Sequence, residues 1–172
     1  TISIAVTGVQ TCALPIYDKG YFLTLQHQIR NLKTYTLIIK TDSVGNQEWQ
    51  RNYGDDRIFS MPSGGVLCTG ITRIGNNKYA LALIKRAVTG TGDFIRYYLS
   101  INEIDSVGNI LRTYETNEER FLNGANIIPT KDSGTITYGS ELYRNSNIQH
   151  GYLLKMKNNA PVWEKKIGDA DG

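Results

Sequence analysis

Short runs of apolar and β-branched residues, bounded by Gly, Asn, Asp and Ser, recur along the chain, and that punctuation predicts strands joined by tight turns. Tyr35-Thr-Leu-Ile-Ile39, Tyr79-Ala-Leu-Ala-Leu-Ile84 and Tyr152-Leu-Leu154 are nearly continuous apolar stretches, the pattern of a strand covered on both faces. Val66-Leu-Cys-Thr69, Ala125-Asn-Ile-Ile128 and Thr135-Ile-Thr-Tyr138 predict further short strands next to Gly-containing turns. No window sustains a 3.6-residue apolar period, because Gly, Asn or β-branched residues interrupt every candidate helix. The expected fold class is all-β.

The strands recur as a unit. A shift of about 45 residues superposes Lys40 on Lys85, Trp49 on Phe94, Tyr53 on Tyr98, Gly20 on Gly65 and Gly45 on Gly90. A third copy begins near Gly124, with Lys131-Asp-Ser-Gly134 matching Asp18-Lys-Gly20 and Ser63-Gly-Gly65, and runs on through Tyr152-Leu-Leu-Lys155 and Trp163. Each copy is expected to be a meander of short strands, with units at about 18–56, 57–119 and 120–172. The middle one is longer by about 24 residues, which predicts an extra hairpin around Leu99 to Thr116, either a fifth strand or a projecting loop. In Asp42-Ser-Val-Gly-Asn46 and Asp105-Ser-Val-Gly-Asn109, Asp bonds the backbone ahead while Gly takes positive φ, which suits a hairpin with a bulge. The same residues are oxygen donors for calcium, but they lack the alternating carboxylates and distal bidentate Glu of a calcium loop.

Composition agrees with a turn-rich globular chain, 172 residues with 17 Gly and 11 Tyr. The net charge of +3 is spread among acidic residues, as in Glu118 to Arg120 and Glu164 to Lys166, so a solvated surface is expected rather than a nucleic-acid patch. Residues 1–16 are uncharged and fairly apolar, yet lack a basic leader and are too short to span a bilayer, so no membrane insertion is expected. The run from Val6 to Ile16, Val-Thr-Gly-Val-Gln-Thr-Cys-Ala-Leu-Pro-Ile, resembles the translation of a sequencing-library adapter. That resemblance implies that residues 1–17 are non-native, that the native chain starts near Asp18, and that the protein continues beyond Gly172. Of the two cysteines, Cys12 falls in that segment and Cys68 is expected to be a small buried hydrophobe.

The series Ile39-Lys-Thr-Asp-Ser-Val-Gly-Asn-Gln-Glu-Trp49, Tyr53-Gly-Asp-Asp56 and Ile128-Pro-Thr-Lys-Asp-Ser-Gly134 resembles the β-propeller repeats of secreted and surface proteins of environmental bacteria. The resemblance covers about residues 18–172. It implies a partial β-propeller, about three blades of four-stranded antiparallel meanders with an extra hairpin in the middle blade. It further implies an exported or cell-surface protein whose remaining blades belong to the same chain. Leu25 stands where other copies carry Gly70 and Gly139, Phe94 stands in the place of Trp, and Ala160 stands where a turn Gly is expected.

Candidate chemistry is sparse. His27 and His150 lie in polar stretches and are expected to be surface imidazoles. Thr89-Gly-Thr-Gly-Asp93 lacks the Lys-Ser/Thr ending of a phosphate loop and is expected to be a hairpin turn. Asp55, Asp56, Asp169 and Asp171 are expected in solvated loops. Tyr97, Tyr98, Tyr138 and Tyr143 offer apolar area with a hydrogen-bonding tip, useful in recognition but equally suited to strand packing. No catalytic, cofactor or metal residue is assigned. The expected function is a non-catalytic module that binds protein or glycan, or spaces other domains. The alternative is the scaffold part of a propeller enzyme acting on glycans, its active-site loops outside this segment.

Overall fold

The computed structural model describes residues 13–15, 19–29, 33–54, 65–89, 94–116, 121–142 and 149–168. These form twelve strands: β1 (Ala13–Pro15), β2 (Tyr21–Ile29), β3 (Lys33–Thr41), β4 (Gln47–Tyr53), β5 (Gly65–Gly75), β6 (Lys78–Thr89), β7 (Phe94–Asp105), β8 (Ile110–Glu115), β9 (Phe121–Pro129), β10 (Thr135–Leu142), β11 (Gln149–Lys157) and β12 (Ala160–Ile167). The all-β class is as the hydrophobic pattern predicts, and no described helix is long and apolar enough to cross a membrane.

Neighbouring strands pair in sequence order, giving three meanders: β1–β4, β5–β8 and β9–β12. A single parallel bridge, Thr34 to Gly65, links β3 to β5. The chain divides into two compact units. Thr1–Cys68 with Arg86–Ile95 holds the first sheet, and Thr69–Lys85 with Arg96–Gly172 holds most of the second sheet and all of the third.

The hairpins form where the turn chemistry requires them. Asp42 Oδ1 accepts the backbone N–H groups of Val44 (3.0 Å) and Asn46 (2.8 Å), its Oδ2 accepts Asn46 Nδ2, and Gly45 turns the chain at φ 91°. Asp105 repeats every one of these bonds with Val107 and Asn109, and Gly108 has φ 82°. Both carboxylate oxygens of each Asp are thus engaged by N–H donors within the turn, the geometry of an Asx turn. The third sheet closes the same corner by other means. Asn158 and Asn159 take φ 52° and 60°, a two-residue turn of the I′ kind, so Ala160 needs no glycine before the strand.

The bulges of the three sheets correspond in a register different from the 45-residue shift. Each sheet carries a bulge between its last two strands, at Lys40/Thr41, Glu103/Ile104 and Lys155/Met156. The cross-strand pairs just before these bulges are Lys40 with Trp49, Glu103 with Arg112 and Lys155 with Trp163. Arg112, not Phe94, therefore holds the place of the tryptophan. Phe94 opens β7, a strand that runs unbroken through Leu99. The hairpin expected at Leu99 to Thr116 is present as strands paired into the sheet, β7 with β8, rather than as a projecting loop. The described part of this sheet has four strands, and its extra length lies in β5, β6 and β7, which run 11, 12 and 12 residues.

Burial follows the pattern. From Tyr79 to Ile84 every residue of β6 is buried, as its continuous apolar run predicts. In the second unit, Ala80, Ala82, Ile84, Leu99 and Ile101 of the second sheet pack against Ala125, Ile127, Tyr152, Leu154 and Met156 of the third. Each large side chain removed from water there contributes about 1.5–3 kcal/mol. The fourth strands lie outside: β12 is exposed along its length, and β4 and β8 are mostly so.

Candidate functional site

Where the two packed sheets of the second unit part, a cleft of about 250 Å³ opens. Its floor is apolar, made by Ile74, Ala80, Ile101 and Met156. Its rim is polar and basic. Lys78 opens β6, Glu103 sits at the bulge of β7, Arg112 stands opposite it on β8, and Lys157 leads into the Asn158-Asn159 turn. Ser133, Gly134 and Thr135 complete the wall from the β9–β10 hairpin. Gly134 is required there, because a Cβ would lie 2.3 Å from the Met156 carbonyl oxygen.

The charges at the rim are unequally satisfied. Lys78 Nζ pairs with Glu103 Oε1 at 2.8 Å, which neutralises the one carboxylate of the lining. Lys157 Nζ is 3.9 Å from Asp132 Oδ2, while Asp132 Oδ1 accepts a closer bond, 2.6 Å, from Lys155. The Lys155 ammonium beside it, then the Thr130 hydroxyl, hold the Asp132 carboxyl well below the usual carboxylate range. The Arg112 guanidinium has no ion-pair partner among the described residues. The cleft therefore keeps a net positive charge with one unspent planar cation.

Arg112 lines the cleft at the place beside the bulge where the first sheet carries Trp49. In the first sheet Trp49 stacks edge-on against Phe22, ring centroids 5.6 Å apart, and covers that place on the sheet. The second sheet offers Arg112 and the small floor residue Ala80, leaving space unfilled. A place where one sheet departs from the local packing of another is where function is expected to lie.

The candidates singled out in the sequence fall elsewhere. His150 is in a strand and buried, not a surface imidazole: its Nε2 lies 3.2 Å from Glu141 Oε2, and Lys166 Nζ lies 3.4 Å from the same oxygen. His150 stands directly across from Glu141 in the β10–β11 ladder. His27 is likewise in a strand, β2, paired with Tyr35. Cys68 is buried, and its N–H donates to Thr36 Oγ1 at 2.8 Å. Tyr97 packs against the core, whereas Tyr138 is exposed on the outer face of the third sheet. Thr89 ends β6. Gly90 to Asp93, Asp55, Asp56, Tyr143, Asp169 and Asp171 lie outside the described residues, as does Cys12. Among the described residues no three His, Cys, Asp or Glu side chains gather as metal ligands would.

Sequence reading missed Arg112 and the convergence of Lys78 and Lys157 upon it. The signal was present: aligning the chain on its two Asp-Ser-Val-Gly-Asn turns puts Arg112 directly on Trp49. Comparison of the chain with protein-family models and with curated proteins finds no match.

Proposed function

We propose that the chain is part of a β-propeller-type repeat protein and serves as a non-catalytic module that binds its ligand, a glycan or a protein, in the cleft beside Arg112. The observation that carries this reading is the cleft itself, opened at the one sheet where arginine takes the tryptophan place. The propeller reading is supported by three successive antiparallel meanders, each ending in an exposed fourth strand. It is also supported by the outer face of the third sheet, where Ile128, Tyr138, Trp163 and Ile167 remain exposed. Lys155 and Trp163 mark that face as the counterpart of the Glu103 and Arg112 face on the second sheet, which the third sheet covers. A further sheet of the same kind fits such a face.

A binding role is favoured over hydrolysis by the cleft's acid inventory. Glycoside hydrolysis takes two carboxyl groups flanking one bond, and the described lining supplies only Glu103, already paired with Lys78. Export to the cell surface and the adapter origin of residues 1–17 are part of the same proposal, resting on the resemblances in the sequence. The test is a glycan array probed with the whole chain. Binding to a defined subset of glycans is expected, and a uniformly negative array contradicts the glycan reading.

A further inference from the structure

We infer that the cleft selects an acidic sugar residue, with Arg112 receiving its carboxylate; this rests on the binding-module reading and narrows it to one ligand chemistry. Size sets the first limit. About 250 Å³ falls below the usual ~300–1,000 Å³ of sites for larger ligands. One sugar ring fits.

Charge sets the second limit. With Lys78 neutralised by Glu103 and Asp132 held by Lys155, the cation left to meet a ligand is Arg112, supported by the loosely paired Lys157. Guanidinium presents a planar fork that matches a carboxylate through two parallel hydrogen bonds, which an ammonium cannot do. A neutral sugar leaves this cation unanswered.

The floor sets the third. The half-buried Ile74, backed by the buried Ile101 and Met156, gives the floor an apolar surface for the C–H face of a pyranose ring, while Asn158 and Asn159 at the rim carry amide donors and acceptors for hydroxyl groups. A bare inorganic anion makes no use of that floor. The three features together describe a ring with one apolar face, several hydroxyls and one carboxylate.

The experiment titrates the whole chain with D-glucuronate, D-glucose and inorganic phosphate, followed by calorimetry or by NMR shifts. Glucuronate is expected to bind saturably, with glucose and phosphate each at least about tenfold weaker. Arg112→Gln is expected to erase the preference for glucuronate over glucose, and Arg112→Lys to restore part of it, each variant checked by its unfolding curve. Raising the salt concentration to about 0.5 M should weaken glucuronate and leave glucose unchanged. Equal binding of glucose and glucuronate overturns the acid preference while leaving a glycan-binding module intact. Phosphate binding as tightly as glucuronate overturns it in favour of a simple anion site. An unchanged preference in Arg112→Gln overturns the assignment of the carboxylate to Arg112. Failure of both sugars, together with a negative array, overturns the glycan reading as well.

Discussion

Thr137 shows how little slack the core allows a single polar atom. It is fully buried on the face of β10 that packs against the second sheet, paired across to Leu154 and Ile127, and its Oγ1 has no hydrogen-bond partner. A buried hydroxyl without a partner costs about 1–3 kcal/mol, so Thr137→Val, nearly isosteric, is expected to raise stability by about 1 kcal/mol in urea unfolding. A loss of stability in that variant would mean the hydroxyl is bonded in solution. The buried lysines are the opposite case. Lys40, Lys85 and Lys155 each meet a carboxylate, from Glu48, Glu115 and Asp132. The second sheet extends its pair into a chain in which Thr113 Oγ1 donates to Asn102 Oδ1 (2.7 Å) and Asn102 Nδ2 donates to Ser100 Oγ (3.1 Å). None of this is legible in the sequence, where Lys40 and Lys85 serve only as markers of a repeat. Burial of a charged residue depends on a partner across the sheet, as it does for His150, and single-residue character does not reveal that partner.

The hairpins are the most legible elements, because their chemistry is local. Asp, Gly and Asn at fixed offsets determine which N–H groups the carboxylate reaches, and no distant contact is needed. That chemistry also predicts a pH dependence. At Asp42 the side-chain bond from Asn46 leads the causes that favour the ionised carboxylate, and it outweighs some desolvation. At Asp105 desolvation opposes, and the backbone and side-chain bonds from Asn109 outweigh it. Both carboxyls therefore titrate below their ordinary value of 3.8 when folded. Their stabilising contribution is complete above the unfolded value, thus above about pH 4, and is lost as pH falls through the lowered folded values. Thermal unfolding followed from pH 6 to about pH 2 should show the midpoint falling below pH 4, with a shallower fall in Asp42→Asn/Asp105→Asn. An identical slope in wild type and double variant would show that the turns are indifferent to ionisation. Strand length is less legible than turn type. Gly65 and Lys85 mimic Gly20 and Lys40 closely enough that a register one hairpin out of step still matches, and it divides β7 at Leu99.

At the scale of the whole molecule, strand type, meander order and the double coverage of β6 follow from hydrophobic patterning, while the cleft follows from packing between strands far apart in sequence. Ala80, Arg112 and Met156 come together only when two sheets are stacked in the second unit, and no local pattern announces them. What distinguishes this place from the matching bulges of the first and third sheets is a guanidinium where they carry an indole. That claim has a direct test. Arg112→Trp restores the residue that the first and third sheets carry at the same bulge, so the variant is expected to fold as well as wild type while its side chain fills the cleft. Titrated side by side with a glycan that binds the wild-type chain, the variant should lose binding by at least about tenfold with its unfolding midpoint unchanged. Undiminished binding by a folded Arg112→Trp chain would contradict the account and place the ligand site elsewhere.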